Sequence, residues 1–452
     1  MHIPLNGRIA IVDDKIEQAL PLINILAQKK YPCQYYSGDL RYLPEEGQAL
    51  NDIRILFLDI NLLNEASPSV SALKSSLIGV LNRVISRSNF PWMLIYWSRH
   101  EDEHDMLVKE IFDTVLTDRK PIIYLSQQKS DYFSLTGEEK EGFTTKVDGL
   151  FGKIVECLAK EPAYQQLITW ENMVHRSTDK TLKEVFNVIH EQESWRDNAE
   201  FLLSRLGESY AGKDFKTASS EEKIRSAFQT LNAVFTDTQE YETSYGLIPN
   251  ADSLFNDTKS ADKSDIAKIN KKLLVSADKH NICYAGMVIE DKDPASEQLF
   301  QGLLNDSFNR EKIQKENPEV EGKPLENLYS RQRQLIRKSW IKVHVVVTPL
   351  CDVVQRKVIY NRMVQGFLLP EDQVKYVQDK SEAIFVSPPF QLGEQTFALV
   401  LNLRYFYTTP FDPKKAAPEG LSPLFRLRQS LLAEIQSKLA RHTSRQGVLF
   451  IG

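Results

Sequence analysis

Ile9-Ala10-Ile11-Val12-Asp13-Asp14 and Ile55-Leu56-Phe57-Leu58-Asp59 decide the reading of this chain. Each is a short, continuously apolar run that stops on a carboxylate. Strands buried on both faces of a parallel sheet read this way, because helices cover them above and below. Trp92-Met93-Leu94-Ile95-Tyr96-Trp97 repeats the pattern and stops on Ser98. In open α/β sheets, chemistry gathers just beyond the carboxyl ends of the strands. Three carboxylates and a hydroxyl are therefore expected to converge on one small cleft.

Working outward, residues 1–160 alternate strand and helix signals. Cys33 to Tyr36 reads as a second strand and Pro121 to Leu125 as a fifth. Between them lie amphipathic stretches: Leu20, Ile23 and Ala27; Leu73, Leu77, Val80, Leu81 and Val84; Met106, Leu107, Ile111 and Phe112. A last one carries Val147, Leu150, Ile154 and Leu158. Such alternation builds a parallel sheet with right-handed crossovers. Residues 161–280 read as helical, with Leu182, Val185, Phe186 and Ile189 on one face. Ser219 with Glu222 there forms a capping box. Residues 281–452 read as mostly β, an α+β region, with strong strand propensity over Trp340–Thr348 and Phe397–Leu403. A helix over about 421–443, striped by Leu424, Leu427, Leu431, Ile435 and Leu439, closes this part. The expectation is a receptive α/β region, a helical connector able to pair two copies, and a β-rich region.

The 452 residues exceed what one hydrophobic core organises. With 42% hydrophobic and 26% charged residues, the composition is that of a soluble globular protein. A net charge of -5 argues against wholesale coating of nucleic acid. The four cysteines, Cys33, Cys157, Cys283 and Cys351, lie far apart, so neither a zinc knuckle nor a disulfide framework is expected. Reduced thiols fit a cytoplasmic location. The first residues show no secretory pattern, and no apolar run approaches the ~18 residues of a membrane span.

Adjacent acids at Asp13 and Asp14, with Asp59 at a neighbouring strand end, suit a hard divalent cation such as Mg²⁺. Asp59 could then act as a nucleophile toward a phosphoryl group. Ser98 could bind a phosphoryl oxygen and move inward. This pattern resembles the receiver domain of two-component response regulators. Asp13 and Asp14 match the family's acidic pair, and Asp59 its phosphoacceptor. Asn61 matches the position whose backbone carbonyl ligates the metal, and Ser98 the conserved-type hydroxyl. The resemblance covers about the first 160 residues. It implies a flavodoxin-like, five-stranded parallel sheet, Mg²⁺ as cofactor, and a histidine-kinase-like protein or related ATPase as partner. The family's lysine directly follows strand five. Here Lys129 is the candidate, a few residues beyond Leu125, and the segments after Asp59 and Ser98 are longer than usual. A second reading is a pseudo-receiver scaffold that recruits a kinase-like ATPase in a bacterial defence or stress system. A third is an enzyme whose active site lies in the C-terminal β region.

Three other stretches tempt. His100-Glu101-Asp102-Glu103-His104 has the spacing of a zinc protease helix. It stands at a helix start, where acids complement the dipole. Arg331, Arg333, Arg337, Lys338 and Lys342 surround Trp340 with no acid from 331 to 345. That run suits nucleic acid, an acidic protein surface or plain solvation. Cys351-Asp352 ends a strand, with His344 nearby in sequence, and is a candidate nucleophile.

Overall fold

A computed structural model describes residues 8–63, 68–98, 101–132, 134, 138–187, 195–248, 262–276, 283–354, 360–378, 380–410 and 420–444. The side chains of residues 97–98, 101–103 and 129 also lie outside the description. The chain divides into two compact units, residues 1–199 with 231–258 and residues 200–230 with 259–452. No helix among the described residues is long and apolar enough to cross a membrane.

The first unit begins with β1 (Ile9–Val12), α1 (Ile16–Gln28), β2 (Cys33–Tyr36), β3 (Ile55–Asp59), α2 (Val70–Val84) and β4 (Met93–Ser98). There follow α3 (Glu101–Glu110), β5 (Ile123–Gln128), the short α4 (Lys129–Tyr132) and α5 (Phe143–Lys160). The five strands are all parallel, in the order β2-β1-β3-β4-β5. Side chains alternate between the two faces of a strand. Ile9, Ile11, Phe57 and Ile95 pack against α1 and α5. Ala10, Val12, Leu58 and Tyr96 pack against α2 and α3. Both faces are dry, which is why the strand sequences run apolar without a break.

Further along the chain come α6 (Pro162–Phe186), α7 (Trp195–Ala211), α8 (Ser220–Tyr245) and α9 (Lys263–Leu274). Tyr164 and Ile168 of α6 join the core under α1 and α5. Arg54, 9% exposed, donates through Nε and Nη2 to Glu171 at 2.7–3.1 Å, and Arg8 donates to the same carboxylate at 3.1 Å. The nearly buried guanidinium thus has a two-pronged partner, the geometry that best offsets its desolvation. The capping box is present: the Ser219 N–H donates to Glu222 at 2.8 Å, and the Glu222 N–H donates to Ser219 Oγ at 3.3 Å. Ile189 lies outside the described residues.

The remaining elements are β6 (Val275–Ser276), β7 (Met287–Asp291), α10 (Glu297–Ser307), α11 (Arg310–Glu316), α12 (Gly322–Ser339) and β8 (Ile341–Val346). Then follow α13 (Leu350–Val354), β9 (Asn361–Pro370), β10 (Ile384–Val386), β11 (Phe390–Leu392), β12 (Gln395–Thr409), β13 (Leu421–Leu427) and α14 (Gln429–Thr443). The strands form one antiparallel eight-stranded sheet, ordered β10-β12-β9-β8-β7-β13-β6 with β11 beside β12. Leu431, Leu432 and Ile435 of α14 cover one face. Leu303 and Leu304 of α10, Ile313 of α11 and Ile336 of α12 cover the other.

Four expectations need correction. Leu20 is 48% exposed, and α1 buries Ala19, Leu22, Ile25 and Leu26 instead, so its inner stripe is offset from the expected one. Strand β5 runs to Gln128 rather than stopping at Leu125, because Ser126, Gln127 and Gln128 keep the ladder with Tyr96, Trp97 and Ser98. Three helices, α10 to α12, interrupt the region read as β; Leu325, Tyr329 and Ile336 recur there at helical spacing and are buried. The expected helix over 421–443 is in fact β13 followed by α14. Pro423 would disrupt a helix interior, whereas in β13 it sits at a register shift of the pairing with β7.

Gly366 of β9 lies where a Cβ would fall 2.0 Å from the Val400 carbonyl oxygen. It stands beside an irregularity at which the register of β12 jumps from Leu401 to Phe406. Gly366→Ala should therefore destabilise the protein by about 1–3 kcal/mol or more, through overpacking. Gly149→Ala, at an exposed position of α5 with nothing within 4 Å of the new methyl, should stabilise by about 0.4–1 kcal/mol. Denaturant unfolding of the two variants checks both signs.

Candidate metal centre

Asp13 is the first residue beyond β1, and Asp59 is the last of β3. These strands are neighbours, with Val12 opposite Leu58, so the ladder carries the two aspartates to one level. Asp14 follows directly. A carboxylate oxygen from each of Asp13, Asp14 and Asp59 lies within 4.8 Å of the others. Asp13 is 4% exposed and Asp59 7%, while Asp14 is half-buried. Main-chain hydrogen bonds fix the arrangement. The Asp13 N–H donates to the Tyr36 carbonyl at 3.1 Å. The Lys15 N–H donates to Asp13 Oδ1 at 3.0 Å, and the Asn61 N–H donates to Asp59 Oδ1 at 3.1 Å.

Tyr35, which the sequence reading did not single out, belongs to this site. Its phenol donates to the Asp13 carbonyl at 2.8 Å. Burial, and then the negative charges of Asp13, Asp14 and Glu17, push that phenol up to about 12. Three crowded carboxylates repel one another unless a positive charge stands among them. The donor set is all oxygen, the preference of hard divalent cations and a poor match for zinc. These three residues could hold a metal ion.

Ser98 ends β4 and is paired with Gln128, the last residue of β5. With β5 running that far, Lys129 directly follows the fifth strand. Both side chains lie outside the described residues. His100 also lies outside them, as do the side chains of Glu101 to Glu103, while His104 is half-buried on α3. Among the described residues, Asp13, Asp14 and Asp59 form the single group of three or more ligands close enough to share an ion.

The C-terminal candidates are dispersed. Arg331, Arg333, Arg337 and Lys338 all lie on α12. Lys342 lies on β8 and is tied down, donating to the Asp293 carbonyl at 3.1 Å and to Ser296 Oγ at 3.0 Å. Cys351 is exposed, with its thiol 3.8 Å from Asp352 Oδ1. His344 does not serve that thiol, since both its ring nitrogens are engaged: Nε2 lies 2.8 Å from Asp291 Oδ2, and Nδ1 lies 2.9 Å from the Tyr407 hydroxyl. A neutral imidazole satisfies both, donating to Asp291 and accepting from Tyr407. Sequence spacing concealed this chain of three, because β7, β8 and β12 supply one residue each.

Burial lowers the pKa of His344 below its ordinary 6.5, outweighing the opposing pull of Asp291. The folded protein therefore keeps the ring neutral where the unfolded chain takes up a proton. Stability should be full above pH 6.5 and should fall as the pH drops below that value toward the lowered pKa. His344→Gln should flatten that part of the curve of melting temperature against pH.

Compared with known proteins, the chain matches no protein-family model and no curated protein. Its activity has to be read from the carboxylate cluster and its setting.

Proposed function

We propose that residues 8–160 form a phosphoacceptor module of the receiver type, with Asp59 as the accepting side chain. One observation supports this above the rest: Asp13, Asp14 and Asp59 meet within 4.8 Å at the carboxyl ends of adjacent parallel strands. The strand order β2-β1-β3-β4-β5 is that of flavodoxin-like sheets, whose ligands bind where successive crossovers change face. Chain leaving β1 enters α1 on one face, and chain leaving β3 leads to α2 on the other. The aspartates stand at that divergence.

In the proposed step, a carboxylate oxygen of Asp59 attacks the phosphorus of a donor. A new O–P bond forms as the P–N bond to a partner's phosphohistidine breaks, and the imidazole leaves with the electron pair. Mg²⁺, held by Asp13, Asp14, Asp59 and the Asn61 carbonyl, would supply positive charge beside the transferring oxygens. Ser98, at the end of β4, and Lys129, just past β5, would answer the new charge by hydrogen bond and ion pair. The donor would be a histidine-kinase-like protein or a related ATPase. The helical middle and the C-terminal sheet would serve as output. Exposed Phe201, Ile224 and Phe228 support helix pairing between two copies.

Incubation with acetyl phosphate and Mg²⁺ followed by intact mass measurement tests this reading. The wild-type chain should gain one phosphoryl group. Asp59→Asn, Asp13→Asn and added EDTA should each abolish the gain. An unmodified wild-type chain would leave a pseudo-receiver scaffold in its place.

A further inference from the structure

The basic run read from the sequence as one patch is divided by the fold. Residues 330, 333, 334 and 337 recur at helical spacing on one face of α12. Ser330, Arg333, Gln334 and Arg337 line a cleft of about 250 Å³ whose opposite wall is Gln301, Leu304 and Asn305 of α10. Arg331 and Lys338 are exposed on a different strip of the helix, and Lys342 is held by its own contacts.

Inside this cleft the charge is unbalanced. Arg333 and Arg337 are half-buried and one turn apart, a spacing at which like charges repel. No carboxylate lines the cleft. The three acids of α10 and α12 are committed elsewhere: Glu297 to Lys342 at 3.5 Å, Asp306 to Arg404 at 2.8 Å and Glu326 to Arg310 at 3.6 Å. Among the described residues, Arg337 has no ion-pair partner. Arg333 is held in place without being neutralised. It donates to Asn305 Oδ1 at 2.6 Å, and its guanidinium stands 5.7 Å from the centre of the Phe308 ring. With the Asn305 oxygen so used, its amide N–H groups are left to donate, as are those of Gln334, while Gln301 Nε2 already donates one hydrogen to Glu297 Oε1 at 3.3 Å and keeps a second.

We infer that this cleft binds the phosphate group of a small phosphomonoester. Two guanidinium groups, three amides and a hydroxyl form a donor-rich wall suited to a multiply charged oxyanion. The volume admits a phosphate with a small organic body, below the usual range for larger ligands. A nucleic-acid backbone would instead need a continuous basic track, and neither Arg331 nor Lys338 lines the cleft.

The test uses the full chain in EDTA, which removes any cation from the aspartate cluster and separates this site from Asp59. Inorganic phosphate is titrated, with binding followed by calorimetry and by thermal melting. Saturable binding and a raised melting temperature are expected. Arg337→Gln and Arg333→Gln should weaken binding tenfold or more, and Arg331→Gln and Lys338→Gln less than twofold. Gln301→Glu places a carboxylate in the cleft. It should raise the melting temperature without phosphate and abolish phosphate binding, a readout independent of whether the arginine variants fold. A short single-stranded oligonucleotide forms the second arm. Absence of saturable phosphate binding would overturn the inference, as would binding indifferent to Arg337→Gln and Gln301→Glu. Oligonucleotide binding weakened equally by all four basic-residue variants would replace it with a phosphodiester track.

Discussion

Strand β1 lies between β2 and β3, and the chain leaving β1 and the chain leaving β3 go to opposite faces of the sheet. Much of the first unit follows from this constraint. Helices α1 and α5 cover the odd-numbered side chains of the central strands, and α2 and α3 cover the even-numbered ones. With both faces dry, the strands must be apolar throughout, and polar residues are pushed to their ends. Where the two connections part, the carboxylates of Asp13, Asp14 and Asp59 stand together at the strand ends. The acidic cluster is thus a product of topology. Its members are brought together by hydrogen-bond register, since Val12 opposite Leu58 leaves Asp13 and Asp59 little choice of position.

The first unit was largely legible in the sequence, because fully buried parallel strands leave an unmistakable trace. The apolar runs before Asp13, Asp59 and Ser98 fixed three strands, the stripe of α2 came out residue for residue, and α5 buries the four residues read for it together with Phe143 and Phe151. What was misread were boundaries set by pairing rather than by composition. Ser126-Gln127-Gln128 is polar, yet it stays in β5 because β4 offers it partners. The second unit was legible only in part. Strands β8 and β12 announced themselves, but the long β9 was not read, Pro423 marked a bulged strand where leucine spacing suggested a helix, and α12 was obscured by its charges. Long-range groupings left no local trace. Tyr407, His344 and Asp291 come from three strands, and Tyr35 reaches Asp13 only because β2 pairs with β1.

A net charge of -5 conceals two local excesses of opposite sign. In the first unit, carboxylates crowd at strand ends. In the second, arginines of α12 crowd while neighbouring acids serve other cations. Neither excess is a random surface feature, since each involves side chains that are largely or partly withdrawn from water. Repulsion there is screened less than on an open surface, so an ion of the complementary sign gains more by entering. Two buried polar groupings elsewhere are matched internally: Arg54 with Glu171, and His344 with Asp291 and Tyr407.

Strand β13 lies between β6 and β7, which are close together in sequence, while β13 itself comes far later. On the ribosome, the slot between those two strands stays open until residues 421–427 have been synthesised. The sheet of the second unit is therefore a late product of translation, whereas the parallel sheet of the first can close while the ribosome is still decoding the middle of the message. Until then Val288 and its neighbours in β7 have no complete face to pack on, and the nascent chain shows sticky edges to chaperones and proteases. Slow elongation upstream of β13 would lengthen that exposure, which makes the tempo of synthesis a determinant of yield.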